Sequence, residues 1–136
     1  MKGERGKGFM PCDEAEITKY VVTHEYGHIL INYLLQNEYA KHGWNPMEAD
    51  KFVDYNNKKE YKWYHDTKKQ FQKQCKKEIL EIAKKNNPKF NYRKNISTYG
   101  AKKDGEFLAE VFANSQLSQP NELGIAMQQW LKEKGF

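Results

Sequence analysis

Two histidines within an apolar stretch, at residues 17–35, constrain this chain more than any other feature of its sequence. Apolar residues and histidines recur there at three- and four-residue spacing, which predicts a helix with one buried stripe. The members of that stripe are Ile17, Val21, His24, His28, Ile31 and Leu35. Four residues advance a helix by about 6 Å and return to the same face, so the two imidazoles can converge on one metal ion.

Glu25 completes the pattern H-E-x-x-H that begins at His24. It lies one residue further round the helix, where its carboxylate can reach a metal-bound water but not easily the metal itself. Two neutral nitrogen ligands and a carboxylate base are the parts that a metal hydrolase needs. The pattern fixes only three residues, and a hydrogen-bonded pair of core histidines is the alternative. A metal site therefore requires a third ligand from elsewhere in the chain.

Glu106 and Glu110 are the candidates for that third ligand, four residues apart in a segment that is otherwise largely apolar. Like charges at this spacing repel one another along a helix, and a cation shared with the histidines would remove the repulsion. The alternative is that both carboxylates face water, with Glu106 placed in the first helical turn because a negative charge is favourable there. Spacing alone allows either glutamate to be the ligand.

The composition excludes several classes of protein. With 136 residues, 38% hydrophobic and 30% charged, the chain suits a single globular domain rather than a disordered segment. No apolar run approaches the roughly 20 residues of a membrane span, and no signal peptide is recognised, so a cytoplasmic location is expected. Cys12 and Cys75 are too few for a disulfide framework and are expected to be free thiols.

Positive charge is concentrated in the middle of the chain. Residues 57–103 contain 15 Lys or Arg and 4 Asp or Glu, whereas the whole chain has a net charge of +5. A basic block of this kind can attract nucleic acid or acidic partners. Lysines at helical spacing more often form a solvated face, so specific nucleic-acid binding is not expected.

Turn and cap signals divide the chain into segments. The expected fold is a single, mainly helical α+β domain over residues 1–136 with little or no sheet. Residues 1–13 are expected to form an irregular arm, and residues 89–99 a loop or short strand. The remaining segments are expected to be helical: 17–35, 46–55, 60–85, 106–115 with Asp104 as N-cap, and a last helix that starts at Gln119-Pro120 and ends near Gly135.

Two blocks of the sequence resemble the anthrax lethal factor type of zinc endopeptidase, a group with relatives among phage head-associated proteins. The first block is His24-Glu25-Tyr26-Gly27-His28. The second begins with Ser97-Thr98-Tyr99-Gly100 and continues at Glu106-Phe107-Leu108-Ala109-Glu110-Val111-Phe112. Together with their surroundings, the blocks cover about a third of the chain, and the seven-residue offset from Tyr99 to Glu106 matches the family pattern.

The resemblance implies a compact zincin-like metallopeptidase that hydrolyses peptide bonds with Zn²⁺. It assigns three zinc ligands: His24, His28 and Glu106. Glu25 is then the catalytic base, Tyr99 donates to the oxyanion, and Glu110 accepts a proton from the non-ligating nitrogen of a metal-binding histidine. The implied partner is a protein or peptide substrate. Assembly with a phage particle is also implied, which makes a virion-associated location the alternative to the cytoplasm.

The chain also departs from the family pattern. Leu108 and Val111 replace a Phe and an Ala that are usual there, and only 23 residues precede His24, where zincins commonly have a small sheet. Either that sheet is reduced or this chain is the C-terminal piece of a longer protein. The cytosolic zincins that cleave phage repressors are a second candidate family, but they lack the Tyr-Gly signature. A non-catalytic, zinc-stapled structural or binding protein is the third alternative.

Overall fold

The computed structural model describes residues 14–40 and 58–136. The predicted arm at 1–13, the predicted helix at 46–55 and Cys12 lie outside this part of the chain. The described residues form six helices: α1 (Glu14–Ala40), α2 (Lys58–Asn86), α3 (Tyr92–Asn95), α4 (Thr98–Lys102), α5 (Asp104–Ser115) and α6 (Glu122–Glu133). They contain no strand, so the prediction of a mainly helical fold is confirmed for them.

The core is formed chiefly by α2, α5 and α6. The apolar face of α6 is buried in full: Leu123, Ala126, Met127, Trp130 and Leu131. On α2, Cys75, Ile79 and Ala83 face the same core. Because α1 and α4 both pack against α5, the core holds in place the helices that carry the candidate site residues.

A polar contact joins α2 to α6 at the edge of this core. The Trp130 indole N–H donates to Glu78 Oε1 at 2.9 Å, and Lys134 Nζ lies 3.1 Å from the same oxygen. Partial burial disfavours the ionised carboxyl, but the hydrogen bonds from Trp130, Gln74 and Lys134 outweigh burial and lower the pKa of Glu78. The indole of the fully buried Trp130 is thereby satisfied.

The predicted apolar stripe of α1 is wrong at its N-terminal half. Val21 is 46% exposed, whereas the neighbouring Tyr20 is 5% exposed. Where the burial of α1 is described, the buried residues are Tyr20, Gly27, Ile31 and Leu35. Only Ile31 and Leu35 belong to the predicted stripe. A tyrosine can bury its ring while its hydroxyl reaches a polar partner, and a glycine is buried only when another backbone comes close, so neither residue stands out in an apolar pattern.

The prediction of a loop or short strand at residues 89–99 holds for 89–91, 96 and 97, which are not helical, but is wrong for the rest, since α3 and the start of α4 form there. In each case a polar side chain caps the helix: Asn91 accepts from Lys94 N, and Ser97 accepts from Gly100 N. These local hydrogen bonds satisfy backbone donors at the start of a helix, and so favour a helical turn over an extended chain. They fix α4 next to α5.

Two predicted helix starts are shifted. Asp104 is the first residue of α5 rather than its N-cap; Lys103 takes the N-cap position and forms no side-chain capping bond. The Asp104 carboxylate instead lies 3.4 Å from Lys76 Nζ on α2. The last helix, α6, starts after Asn121, whose side chain accepts from Gly124 N, and so begins later than the predicted Gln119-Pro120.

Two expectations from the sequence concern membrane-spanning helices and free cysteine thiols. No helix among the described residues combines the length and apolar character needed to cross a membrane. Cys75 is a free, buried thiol, and burial raises its pKa to about 12. Because the thiolate is the reactive form, this cysteine is inert at neutral pH and is not a candidate nucleophile.

Candidate metal centre

Gly27, between the two motif histidines, lies against the backbone of α5. A Cβ added to Gly27 would lie 2.9 Å from Ala109 Cα and 3.1 Å from the Ala109 carbonyl oxygen. Any side chain at this position would therefore push against the backbone of α5. The absence of a side chain allows the face of α1 that carries the histidines to lie against the start of α5.

Replacing Gly27 with Ala should destabilise the protein and weaken metal binding. Alanine is favoured over glycine within a helix by about 1 kcal/mol, but overpacking against a backbone costs about 1–3 kcal/mol. We expect a lower thermal midpoint and a lower metal affinity than in the wild type. Gly105→Ala is the matched control, since its added methyl group meets only the flexible Gln72 side chain, at 3.2 Å. A Gly27→Ala protein with unchanged midpoint and affinity would contradict the close helix contact.

Three side chains from the two helices converge: His24, His28 and Glu106, which we call the metal group. Glu106 Oε2 lies 3.3 Å from His24 Nε2, and Glu106 Oε1 lies 3.3 Å from His28 Nε2. One ligand atom from each residue can be chosen so that all three lie within 4.8 Å of one another. Two atoms that each lie at the usual zinc–ligand distance in a tetrahedral site are about 3.3 Å apart. The spacing of the two imidazoles from the carboxylate therefore suits a shared metal ion.

The burial of Glu106 supports the same conclusion. Its side chain is 18% exposed, and its buried Oε2 atom accepts no hydrogen bond from the described residues, although His24 Nε2 lies 3.3 Å away. Leaving a buried polar atom unsatisfied costs on the order of 1–3 kcal/mol, and more for a charged group. A cation between Glu106 and the histidines would satisfy this oxygen. The donor set and its surroundings therefore fit a divalent metal ion.

Glu25 and Tyr99 lie on the helices of this region and are exposed to solvent. Glu25 Oε1 lies 3.8 Å from His24 Nδ1, on the side of the ring away from Glu106. Tyr99 lies on α4, which packs against α5. Their exposure leaves both side chains free to meet water or a substrate. The roles of Glu25 and Tyr99 as base and oxyanion donor stay predictions.

Glu110 lies one turn after Glu106 on α5 and is 6% exposed. Its Oε2 atom accepts a hydrogen bond from Ser97 N at 2.8 Å, and its Oε1 atom accepts one from Ser97 Oγ. These bonds join α5 to the start of α4. The predicted bond from a metal-binding histidine to Glu110 stays a prediction.

Reasoning from sequence missed three features around the metal group. It did not identify the structural role of Gly27, although the glycine stands between two candidate ligands. It did not identify the contact between Ser97 and Glu110. The available signal was the three-residue spacing from Ser97 to Gly100, which is that of an N-cap and the backbone N–H it binds. Its prediction of a solvated lysine face on α2 agrees with the exposed Lys69 and Lys73, but it did not indicate that this face borders a cleft that includes His28 and Glu106.

Comparison with known proteins adds no further assignment. No family model, curated protein or solved structure matches this chain. The case for a function therefore depends on the two sequence blocks and on the arrangement of the side chains that they contribute.

Proposed function

We propose that this protein is a zinc-dependent endopeptidase with a zincin-like site, similar to the anthrax lethal factor type. The observation that carries the proposal is the 3.3 Å separation of the Glu106 carboxylate oxygens from the Nε2 atoms of His24 and His28. The two histidines come from an H-E-x-x-H helix, and Glu106 comes from the block that the resemblance identified independently. Two separate parts of the sequence thus supply one ligand set.

The proposed reaction is hydrolysis of a peptide bond. A zinc ion held by the three ligands would supply Lewis acidity, which polarises the scissile carbonyl and makes water a stronger acid. Glu25 accepts a proton from the attacking water and delivers it to the leaving amine. Tyr99 donates a hydrogen bond from its hydroxyl to the developing oxyanion.

Partial exposure of the ligands favours a catalytic over a purely structural role. Structural zinc sites usually have four protein ligands and are closed, whereas catalytic sites have three and keep one position open. Among the described residues the group contains three ligands, and the His28 side chain is 34% exposed. This arrangement argues against the alternative of a zinc-stapled structural protein.

The purified protein should contain about one tightly bound zinc ion per chain. Metal analysis after zinc is supplied in excess and then removed by gel filtration would measure this. Fe²⁺ and Mn²⁺ should be compared, because two histidines and one carboxylate also form the ligand set of non-haem iron enzymes. Well under one equivalent of every metal would refute the metal site, and a strong preference for iron would refute the assignment to zinc.

Peptidase activity itself is tested with a proteome-derived peptide library. Cleavage should occur at a defined set of peptide bonds, stop on addition of a chelator, and return when zinc is restored. If a zinc-loaded protein cleaves no peptide, the proposal is wrong and the structural alternative is favoured.

Replacing Tyr99 with Phe should lower kcat by on the order of 10² and change KM little, because the lost hydroxyl acts mainly in the transition state. Steady-state kinetics on a peptide identified from the library would show this. Tyr33→Phe is a suitable control, since Tyr33 is also exposed but lies on α1 two turns beyond Gly27. A Tyr99→Phe effect confined to KM would instead make Tyr99 a substrate-binding residue.

A further inference from the structure

A cleft of about 770 Å³ leads away from the metal group along α2. His28 and Glu106 form part of its wall, so a peptide lying in the cleft would contact the metal group. Residues 66, 68–70, 72 and 73 of α2 also line the cleft. Four lysines line it: Lys68, Lys69, Lys73 and Lys103. We call this the lysine cleft.

The charges on the walls of the lysine cleft do not balance. Of the three acidic residues there, Glu106 is the proposed metal ligand, and Asp104 is paired with Lys76 at 3.4 Å. Asp66 is therefore the one remaining acid on the wall. None of the four lysines forms an ion pair with another described residue. Like charges in a concave site produce a stronger local potential than on a convex surface, so the cleft should attract anions.

The start of α5 also borders the lysine cleft. Lys103, the N-cap of α5, and Gly105, in its first turn, line the cleft. The first backbone N–H groups of a helix lack intrahelical partners and carry partial positive charge, but Asp104 and Glu106 lie in the same turn and offset it. The lysines are therefore the main source of the positive potential.

We propose that the lysine cleft binds acidic side chains of the peptide substrate, so that the enzyme prefers Asp and Glu close to the bond it cleaves. This inference depends on the proposed peptidase function. Nucleic acid is also anionic, but no Phe, Tyr or Trp is among the described residues that line the cleft. Single-stranded nucleic acid is usually bound by stacking on such rings, which favours a peptide as the occupant.

The test compares zinc-loaded proteins on peptides that are identical except for Glu, Gln or Lys beside the cleaved bond. The double variant Lys69→Glu/Lys73→Glu reverses the charge of the cleft. The double variant Lys77→Glu/Lys84→Glu makes the same change on α2 outside the cleft and serves as the control. We expect the wild type and the control to prefer the Glu peptide by about tenfold or more in kcat/KM, mainly through KM.

In the cleft variant this preference should disappear or reverse, and in the wild type it should weaken between about 50 and 200 mM salt. An active enzyme without a preference for acidic residues would overturn the proposal. So would a preference that persists unchanged in the cleft variant. Tighter binding of a single-stranded oligonucleotide than of the Glu peptide, lost in the cleft variant alone, would overturn it in favour of a nucleic-acid site.

Binding measurements separate this proposal from the proposed function. Glu25→Gln protein, loaded with zinc, is titrated with a fluorescent Glu peptide and its Lys counterpart. Selective binding of the Glu peptide without cleavage of any peptide by the wild type would refute the peptidase and leave an anion-binding cleft. Cleavage without selective binding would refute the proposed binding of acidic side chains in the lysine cleft and leave the peptidase proposal standing.

A second inference follows from a different observation, the buried contact between Glu110 and Ser97. Both side chains are almost fully buried, and the carboxylate accepts from Ser97 N and Ser97 Oγ. Hydrogen bonds to an ionised group are stronger than those between neutral groups. In turn, Ser97 Oγ accepts from Gly100 N at 3.0 Å and so caps α4. Glu110 is therefore tied to the first turn of the helix that carries Tyr99.

Gly100 allows this arrangement. A Cβ added to Gly100 would lie 2.8 Å from Glu110 Oε1, so a side chain there would displace the carboxylate. Glu110 follows Glu106 by one turn of α5, and the two residues cannot move independently within a regular helix. A rigid connection therefore runs from the candidate ligand Glu106, through Glu110 and Ser97, to Tyr99.

The geometry points to Glu110 as a positioning residue that holds Tyr99 in register with the metal group. The inference depends on the proposed function, because it requires Tyr99 to act in hydrolysis. It differs from the prediction that Glu110 accepts a hydrogen bond from a metal-binding histidine. Removing the hydrogen-bond partner of such a histidine weakens metal affinity by roughly 10- to 100-fold. Loosening α4 should reduce turnover and leave metal affinity unchanged.

A double-mutant cycle between Ser97→Ala and Tyr99→Phe tests this inference. Ser97→Ala should lower kcat on the order of tenfold, with zinc affinity unchanged, because small misplacements of a reacting group reduce the rate. In the Tyr99→Phe background the same change should have almost no further effect on kcat, since the hydroxyl it positions is already absent. Ser97→Thr keeps a hydroxyl group and should restore most of the rate.

A purely structural role for Ser97 and Glu110 predicts a different result. Ser97→Ala would then lower the thermal midpoint, and its effect on kcat would add to that of Tyr99→Phe. Additive effects would overturn the inference, as would a fall in zinc affinity that accounts for the lost activity. A wild-type protein without peptidase activity would refute the proposed function itself, and this inference with it.

Discussion

Replacing Glu25 with Gln should abolish peptide hydrolysis while leaving the metal group and the fold intact. An amide of nearly the same shape cannot accept the proton of the attacking water, and loss of a general base lowers rates by roughly 10²- to 10⁴-fold. Glu25 is 74% exposed, so the change removes no buried contact. Its Oε1 atom lies 3.8 Å from the Nδ1 atom of His24, and the proposed metal-binding nitrogen of that ring is Nε2.

Three measurements are needed to interpret this variant: kcat on an identified peptide, zinc bound per chain, and the thermal midpoint. Zinc content and midpoint should match the wild type, and kcat should fall by on the order of 10³. Glu81→Gln, an exposed substitution on α2, controls for the loss of one surface charge. If Glu25→Gln retains activity within a few-fold, Glu25 is not the base and the proposed reaction is wrong.

The candidate metal ligands could be brought together by prediction, the histidines from their spacing and Glu106 from the resemblance. His24 and His28 are on one face of α1 because of their spacing alone, and α1 forms as predicted around them. Glu106 is in the first turn of α5, where a negative charge is favourable. The choice between Glu106 and Glu110 came from the resemblance, since periodicity allows either. The structure brings Glu106 to the two histidines.

The surroundings of these ligands could not be predicted, because they depend on how helices pack. Gly27 is buried because the backbone of α5 comes close to it, a fact that no apolar pattern records. Ser97, which donates to Glu110, is 13 residues away along the chain, at the N-cap of a helix that reasoning from sequence had assigned to a loop or strand. Ser97 caps that helix and favours its formation. Because this cap was not predicted, neither the helix nor its contact with Glu110 was predicted.

The surroundings of the lysines of α2 could not be predicted for the same reason. Their helical spacing predicted that they share a face, and a solvated face is the usual outcome. Periodicity does not indicate which other helix stands opposite that face. In the structure, α1 and α5 contribute His28 and Glu106 to the same cleft as Lys69 and Lys73, so part of the basic block borders the candidate site.

Replacing Glu106 with Ala should have the largest effect on metal binding of any single change in this chain. Zinc affinity should fall well beyond the roughly 10- to 100-fold loss expected when a partner outside the coordination sphere is removed. Glu110→Gln, one turn further along α5, is the matched comparison and should lose no more than that. Competition with a zinc-binding dye would rank the two variants. If Glu110→Gln lost the greater affinity, Glu110 would be the ligand, and the peptidase proposal would still stand.

The stability of the metal-free protein separates a ligand from a residue that merely packs. Glu106 lies 3.3 Å from the Nε2 atoms of His24 and His28, and its buried Oε2 atom accepts no hydrogen bond from the described residues, so its removal should change the stability of the metal-free protein by only a small amount. Added zinc should raise the thermal midpoint of the wild type, because an ion that binds only the folded state stabilises it, and this rise should be absent in Glu106→Ala. A variant that is destabilised without metal, yet still stabilised by zinc as the wild type is, would show that Glu106 supports the fold rather than the ion.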